Sequence, residues 1–325
     1  MLWTLTRSLL FLLPPEFTHT LSKFGIRILA LFLPLPKNNE YNPIGLAAGF
    51  DKNCDVLPYL PYFGFGHAEI GTVTPLPQAG NDKPRLFREP KNKVLFNRMG
   101  FNNLGCEVVA ARLQKIKPKL PTSFKVGVNL GKNKATPDTE AASDYAKVAE
   151  AFKNLADYFV INVSSPNTPG LRALQTPEAL LPIVDAVKSV LMNSNPVPIY
   201  VKLAPEIQGS ELKILIEALE AAGIAGFVLT NTLGGTREYR KKEFTGGYSG
   251  QILSSISLER LLEVHSYATL PIISVGGIMT VEDAKLRLQS GASEIQIYTG
   301  WVFGGPFLIK RILKSIQSRD FSIEN

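Results

Sequence analysis

The chain has 325 residues, 45% of them hydrophobic and 19% charged, with a net charge of +7 and a mean hydropathy of +0.07. This composition excludes a disordered chain, and the length admits two ordinary domains or one α/β barrel of about 250 residues with a remainder. No uninterrupted run of about 18 apolar residues exists to span a bilayer, two cysteines (Cys54 and Cys106) exclude a disulfide framework, and with only His19, His67 and His265 no metal site is expected.

Residues 1–35 read as two short apolar helices broken at Pro14-Pro15. Leu2, Leu5, Leu9 and Leu12 recur at helical spacing in the first, and Phe17, Leu21, Phe24, Ile28 and Leu31 do so in the second. Arg7, Lys23 and Arg27 supply the cationic flank of an interfacial helix. A signal peptide fits poorly, because Pro-Pro follows the short apolar core without a small-residue cleavage site. A hairpin packed on its own domain and a hairpin docked on a lipid surface both fit. The polar linker 37–43 sets the expected division: 1–38 as the hairpin, 39–325 as the main domain.

From residue 43 an apolar strand, a turn rich in Gly, Asn or Thr, and an amphipathic helix recur. The expected strands are 44–48, 67–72, 124–130, 158–163, 199–203, 226–230, 271–275 and 293–298. Helices are expected at 139–156, 177–193, 208–222, 255–267, 280–290 and 304–317. Eight alternating units predict an α/β chain, a closed (β/α)8 (TIM) barrel with the N-terminal hairpin as an extension. No GxGxxG follows the first strand, which removes the usual Rossmann site. Between Lys83 and Lys134, 13 Lys/Arg face only Glu89 and Glu107, so the positive charge is local. A solvated basic face accounts for it, as does anionic lipid or a small anionic ligand. The segment lacks the aromatic interleaving of a nucleic-acid site, and no nucleic acid is expected as partner.

In such a barrel the ligand site lies at the C-terminal ends of the strands, where the polar residues concentrate. Gly276-Gly277 and Thr299-Gly300 follow adjacent strands and offer backbone N–H groups to a phosphate. Lys202, within VKLAP, projects into the barrel mouth and stabilises negative charge on a ligand ring. Asn129, Asn162, Asn167 and Asn231 add neutral donors and acceptors at the same level. A planar, amide-rich ligand such as a pyrimidine or a flavin suits that set.

The runs LAAGFDKN (46–53), EIGTVTPLPQAGN (69–81), NRMGFNN (97–103), GVNLGKNK (127–134) and INVSSPNTPGLR (161–172) resemble the quinone-dependent, class 2 dihydroorotate dehydrogenases. So do VKLAP (201–205), TNT (230–232), SVGGI (274–278) and YTG (298–300), and the likeness covers nearly the whole chain. The resemblance implies FMN held by Ala48, Gly49, Lys52, Thr72, Asn129, Asn162, Lys202, Thr230, Gly250, Gly277, Tyr298 and Thr299. It implies dihydroorotate, and its product orotate, at Lys52, Asn97, Gly100, Phe101, Asn162, Asn167, Asn231 and Thr232.

The resemblance also assigns Ser165 as the base that removes the substrate's C5 proton while the flavin takes hydride from C6. On the residues alone, Ser165 reads more readily as a turn hydroxyl, and the flanking motif reverses that order. Ubiquinone or menaquinone is implied near the hairpin, with His19 and Arg88 at its polar head and Tyr298 beside the flavin. The protein is then expected as a monomer, peripheral on the cytoplasmic face of a bacterial inner membrane. A soluble FMN barrel with another acceptor, and an inert phosphate-binding barrel on a lipid surface, are the competing readings.

Overall fold

Eight parallel strands close on one another in the computed structural model, which describes residues 2–34, 41–192 and 196–318. In chain order they are β1 (Ile44–Leu46), β2 (His67–Val73), β5 (Lys125–Leu130) and β6 (Tyr158–Asn162). The circle continues through β7 (Ile199–Leu203), β8 (Gly226–Leu229), β11 (Ile272–Val275) and β12 (Glu294–Ile297). It closes where β1 pairs β12 (Ile44↔Ile295) and β2 (Gly45↔His67). These strands are near-continuous apolar runs because both faces are covered. Ala47, Val160, Val228, Ile273 and Val275 fill the interior, and the larger outer cluster packs beneath the helices.

The helices are α3 (Cys106–Ile116), α4 (Ala141–Phe152), α5 (Pro177–Leu191), α6 (Gly209–Ala221), α7 (Ser254–His265) and α8 (Val281–Gln289). The helix expected at 304–317 is instead α9 (Thr299–Gly304) and α10 (Leu308–Ile316). Gly305, at φ 87°, and Pro306 separate them, since neither continues a helix. Strand β1 also ends earlier than expected: Gly49, at φ 97°, turns the backbone so that residues 47–50 wall the barrel mouth.

One layer was not anticipated. Strands β3 (Leu86–Glu89), β4 (Val94–Asn97), β9 (Leu233–Tyr239) and β10 (Lys242–Gly250) form an antiparallel sheet in the order β3-β4-β10-β9. Its register pairs Tyr248 with Phe96 and Ser249 with Leu95. Phe87, Phe96, Tyr239, Phe244 and Tyr248 cluster in ring contacts across it.

The hairpin, α1 (Leu2–Leu10) and α2 (Pro15–Ala30), rests on this sheet and on α9. Trp3 Nε1 and Arg7 Nη1 donate to Phe303 O at 3.1 and 2.8 Å, while Phe11 meets the Phe303 ring edge-on. Lys23 pairs with Asp55 at 2.8 Å and Arg27 donates to the Asp55 carbonyl. Arg7, Lys23 and Arg27, the expected cationic flank, therefore tie the hairpin to the barrel. The opposite side leaves Leu5, Leu9, Leu12, Phe17, Phe24, Leu31 and Phe32 exposed. The expected 38/39 boundary lies at residues 35–40, outside the described residues.

Candidate active site

A cavity of about 570 Å3 opens at the C-terminal ends of the barrel strands, roofed by α2 and the antiparallel sheet. That volume suits an organic cofactor with a small substrate beside it. Its lining brings together Ala48, Gly49, Lys52, Thr72, Asn97, Gly100, Phe101, Asn162, Ser165, Asn167 and Lys202. Thr230, Asn231, Thr232, Gly250, Gly277, Tyr298, Thr299 and His19 line it too. Of the residues expected at the site, only Asn129 and Arg88 stand outside the lining.

The floor is a hydrogen-bonded amide network. Asn162 Nδ2 donates to Thr72 Oγ1 and Asn129 Oδ1, both at 2.9 Å, and Thr72 Oγ1 donates to Asn129 Oδ1 at 2.5 Å. Asn231 Nδ2 joins by donating to Asn162 Oδ1 (3.2 Å) and Ser164 Oγ (3.0 Å). Asn129 is thus one layer beneath the cavity, where it orients Thr72 and Asn162. It rests on Glu69, a fully buried carboxylate inside the barrel. Glu69 Oε1 accepts from Asn129 Nδ2 at 2.6 Å and lies 3.5 Å from Lys202 Nζ, while its Oε2 accepts from Gln296 Nε2 at 2.8 Å. A buried ion pair is tolerated when further hydrogen bonds satisfy its charges, and Asn129 and Gln296 do this for the Glu69 carboxylate. Glu69 therefore holds Lys202 Nζ at the cavity wall.

Lys52 stands on the opposite wall, donating to Asn102 Oδ1 at 2.6 Å. Burial, then the charges of Arg85 and Lys23, lowers its pKa to about 7 against the pull of Glu16. Beside it, Gly100 and Phe101 sit at φ 67° and 51°, so the NRMGF loop curls over the cavity. Asn167 Nδ2 donates to Asn97 Oδ1 at 2.8 Å, joining the β6 loop to β4. Ser165 is 5% exposed, and its Oγ accepts from the Asn167 N–H at 3.2 Å. A hydroxyl whose oxygen accepts an N–H bond is a better home for negative charge. The same bond is what a turn serine makes, so geometry accommodates both roles. Arg172 braces the loop, reaching Ser164 O (2.9 Å), Thr232 O (2.8 Å) and Glu206 Oε1 (2.6 Å).

At the hairpin end, His19 meets Phe50 edge-on at 5.0 Å, and Phe50 meets Tyr298 at 5.3 Å. Burial, with Lys23 and Lys52 nearby, brings His19 down to about 3, which leaves a neutral imidazole. Burial pushes the Tyr298 phenol up to about 12. Arg88 stands outside the lining. Its guanidinium stacks over Phe11 at 4.5 Å and donates to the carbonyls of Leu10, Phe11 and Leu13. These carbonyls end α1 and the turn after it, where Thr18 Oγ1 also donates to Leu10 O and Leu13 O, so Arg88 ties the hairpin in place over the cavity.

The sequence profile described as dihydroorotate dehydrogenase matches residues 32–319. The chain belongs to the dihydroorotate dehydrogenase family. It is 42% identical over 332 residues to dihydroorotate dehydrogenase (quinone) of Anaeromyxobacter dehalogenans strain 2CP-C, covering 96% of this chain and 91% of the relative. The protein of that name from Synechococcus sp. strain JA-3-3Ab is 42% identical over 327 residues, covering 97% and 84%. Among solved structures, the Eimeria tenella enzyme in complex with ferulenol superposes with a TM-score of 0.83 at 33% identity, covering 93% of this chain and 90% of that one. Membership of the dihydroorotate dehydrogenase family implies a flavin cofactor. Glu69, Gln296 and Arg172, which brace this family member's site, were not singled out as site residues by sequence reasoning. Their only signal was a place inside or beside the resembling runs.

Proposed function

We propose that the chain oxidises dihydroorotate to orotate with FMN as hydride acceptor and a membrane quinone as final acceptor, in pyrimidine (UMP) biosynthesis. The observation that carries this reading is one cavity holding Ser165, Lys52 and the asparagine floor, with the exposed apolar hairpin at its rim. The site fits the cofactor. Gly276 and Gly277, at φ 114° and 69°, form a wall with no side chain, beside Thr299 and Gly300, where a phosphate would be held. Lys202, Thr72, Asn162 and Tyr298 would face the ring. When bound, the flavin supplies hydride acceptance at N5 and electron transfer onward to quinone.

The protein's own groups do the rest. Lys52 neutralises the substrate carboxylate, assisted by the amides of Asn97, Asn167 and Asn231. The Thr232 hydroxyl and the Gly100-Phe101 loop enclose the ring. Ser165 Oγ takes the proton from C5, and burial of the site excludes water that would otherwise level the charges. His19 and Tyr298 flank the entry used by quinone, and Arg88 acts there by holding α1 in place. The exposed apolar face that runs from Leu5 to Phe32 docks on the lipid surface, placing the enzyme peripherally on the inner membrane. Turnover of dihydroorotate with a short-chain quinone, but not with a nicotinamide acceptor, tests the reading. Equal rates with both would refute it.

The depressed Lys52 has a directional consequence for pH. Below about 7 it is charged and attracts the orotate anion; above that it is neutral. Orotate affinity, measured by calorimetric titration, is expected to fall by up to about tenfold per pH unit above that point. A flat profile would remove Lys52 from carboxylate binding.

A further inference from the structure

A guanidinium removed from water costs several kcal/mol unless something compensates its charge. Arg287 on α8 is 1% exposed. Its Nη2 donates to Ser254 O (2.6 Å), Ser257 Oγ (2.9 Å) and Gly276 O (3.2 Å), and its Nη1 to Ser274 Oγ (3.3 Å). All four partners are neutral oxygens. No carboxylate forms an ion pair with it among the described residues. Asp283, one turn earlier, has its Oδ2 committed to the N–H groups of Met279 and Thr280 at the start of the helix. Burial lowers Arg287 to about 10, with Asp283 opposing, so the group is charged at neutral pH.

The location of this charge gives it meaning. Gly276, whose carbonyl it holds, and Gly277 both line the cavity. Arg287 therefore lies one peptide layer behind the wall. A Cβ on Gly277 would stand 2.2 Å from Ser254 Cα, so the glycine turn packs directly against Ser254, the residue whose carbonyl anchors the guanidinium. Glu16 is the only acid among the described residues that line the cavity, and it sits at the hairpin end, paired with Arg85. Asp283 opposes this charge only through space, no acid lines the cavity at the glycine wall, and an anion bound there is what would balance it.

We propose that Arg287 is the buried counter-charge for the phosphate end of the cofactor, and that it makes this site select a phosphorylated flavin over an unphosphorylated one. The inference rests on the flavin reading above. Arg287 touches no ligand; it is a positioning residue that acts through the Gly276 carbonyl and through its field. The alternative is a purely architectural tie between β11, α7 and α8, which would be indifferent to the phosphate.

The test uses the full chain freed of its flavin, titrated with FMN and with riboflavin by flavin fluorescence. Arg287→Gln keeps hydrogen-bonding capacity and deletes the charge. It is expected to lower the FMN-to-riboflavin affinity ratio by about 10- to 100-fold while riboflavin affinity changes little. Arg287→Lys should restore most of the ratio. If Arg287→Gln does not fold, Arg287→Met, which keeps the packed volume, carries the same comparison. A ratio unchanged in the charge-deleting variant, or FMN and riboflavin weakening in parallel, would overturn the assignment to Arg287 alone. A wild-type chain that binds neither flavin would overturn the flavin reading with it.

Discussion

Replacing Ser165 with alanine should slow reduction of the bound flavin by dihydroorotate by about 10²–10⁴-fold, the usual worth of a positioned general base and equivalent to about 3–5 kcal/mol of barrel-mouth catalysis. The fold should tolerate the change. The Ser165 hydroxyl accepts one turn hydrogen bond from Asn167, whose loss costs about 0.5–1.5 kcal/mol. Flavin content and thermal midpoint should therefore stay close to wild type while the rate collapses. The comparison separates the two roles that the sequence left open. A turn serine would lower stability and leave the reduction rate intact; a base would do the reverse. Asn167→Ala offers a useful contrast, because it disturbs the turn and the contact to Asn97 together and should weaken substrate binding as well.

Removing residues 1–38 should divide the reaction in two. Reduction of the flavin by dihydroorotate should remain measurable, because Ser165, Lys52 and the asparagine floor lie on the barrel and on the loops beyond it. Turnover with a long-chain quinone should fall by at least about 10²-fold, because on the proposed reading the hairpin positions the acceptor near the flavin. The physical basis is the two-sided character of α1 and α2. One side is tied down by Trp3, Arg7, Lys23 and Arg27, and the other leaves Leu12, Leu31 and Phe32 about four-fifths exposed. An apolar face of that kind is unfavourable in water and favourable in a lipid interface. Quinone turnover at the full rate after deletion would place acceptor binding elsewhere.

Much of the barrel was legible because its strands are apolar runs bounded by Gly, Asn and Thr, a pattern that parallel strands covered on both faces must show. The residues that line the cavity were legible for a related reason: a barrel collects polar side chains at its strand ends, so Asn162, Lys202 and Thr230 follow from strand placement, while Asn129 lies one layer below. The antiparallel sheet was not, because β4 finds its partner β10 about 150 residues later, and nothing local to Val94–Asn97 announces that pairing. Glu69 was missed for a different reason. An acid within a strand ordinarily marks a solvent face, and only the assembled barrel supplies the Lys202, Asn129 and Gln296 that make its burial tolerable. Arg88 adds a role that its position in the sequence does not announce: it binds the carbonyls that end α1 and the turn after it.

The central claim is a single site that passes electrons from dihydroorotate to quinone through a bound flavin. Anaerobic stopped-flow spectroscopy of the purified protein tests it most directly. Mixing with dihydroorotate should bleach the oxidised flavin absorbance and yield one orotate per flavin, and a second mix with quinone should restore the colour in full. A protein that carries no flavin absorbance, or whose flavin dihydroorotate does not bleach, would contradict the account.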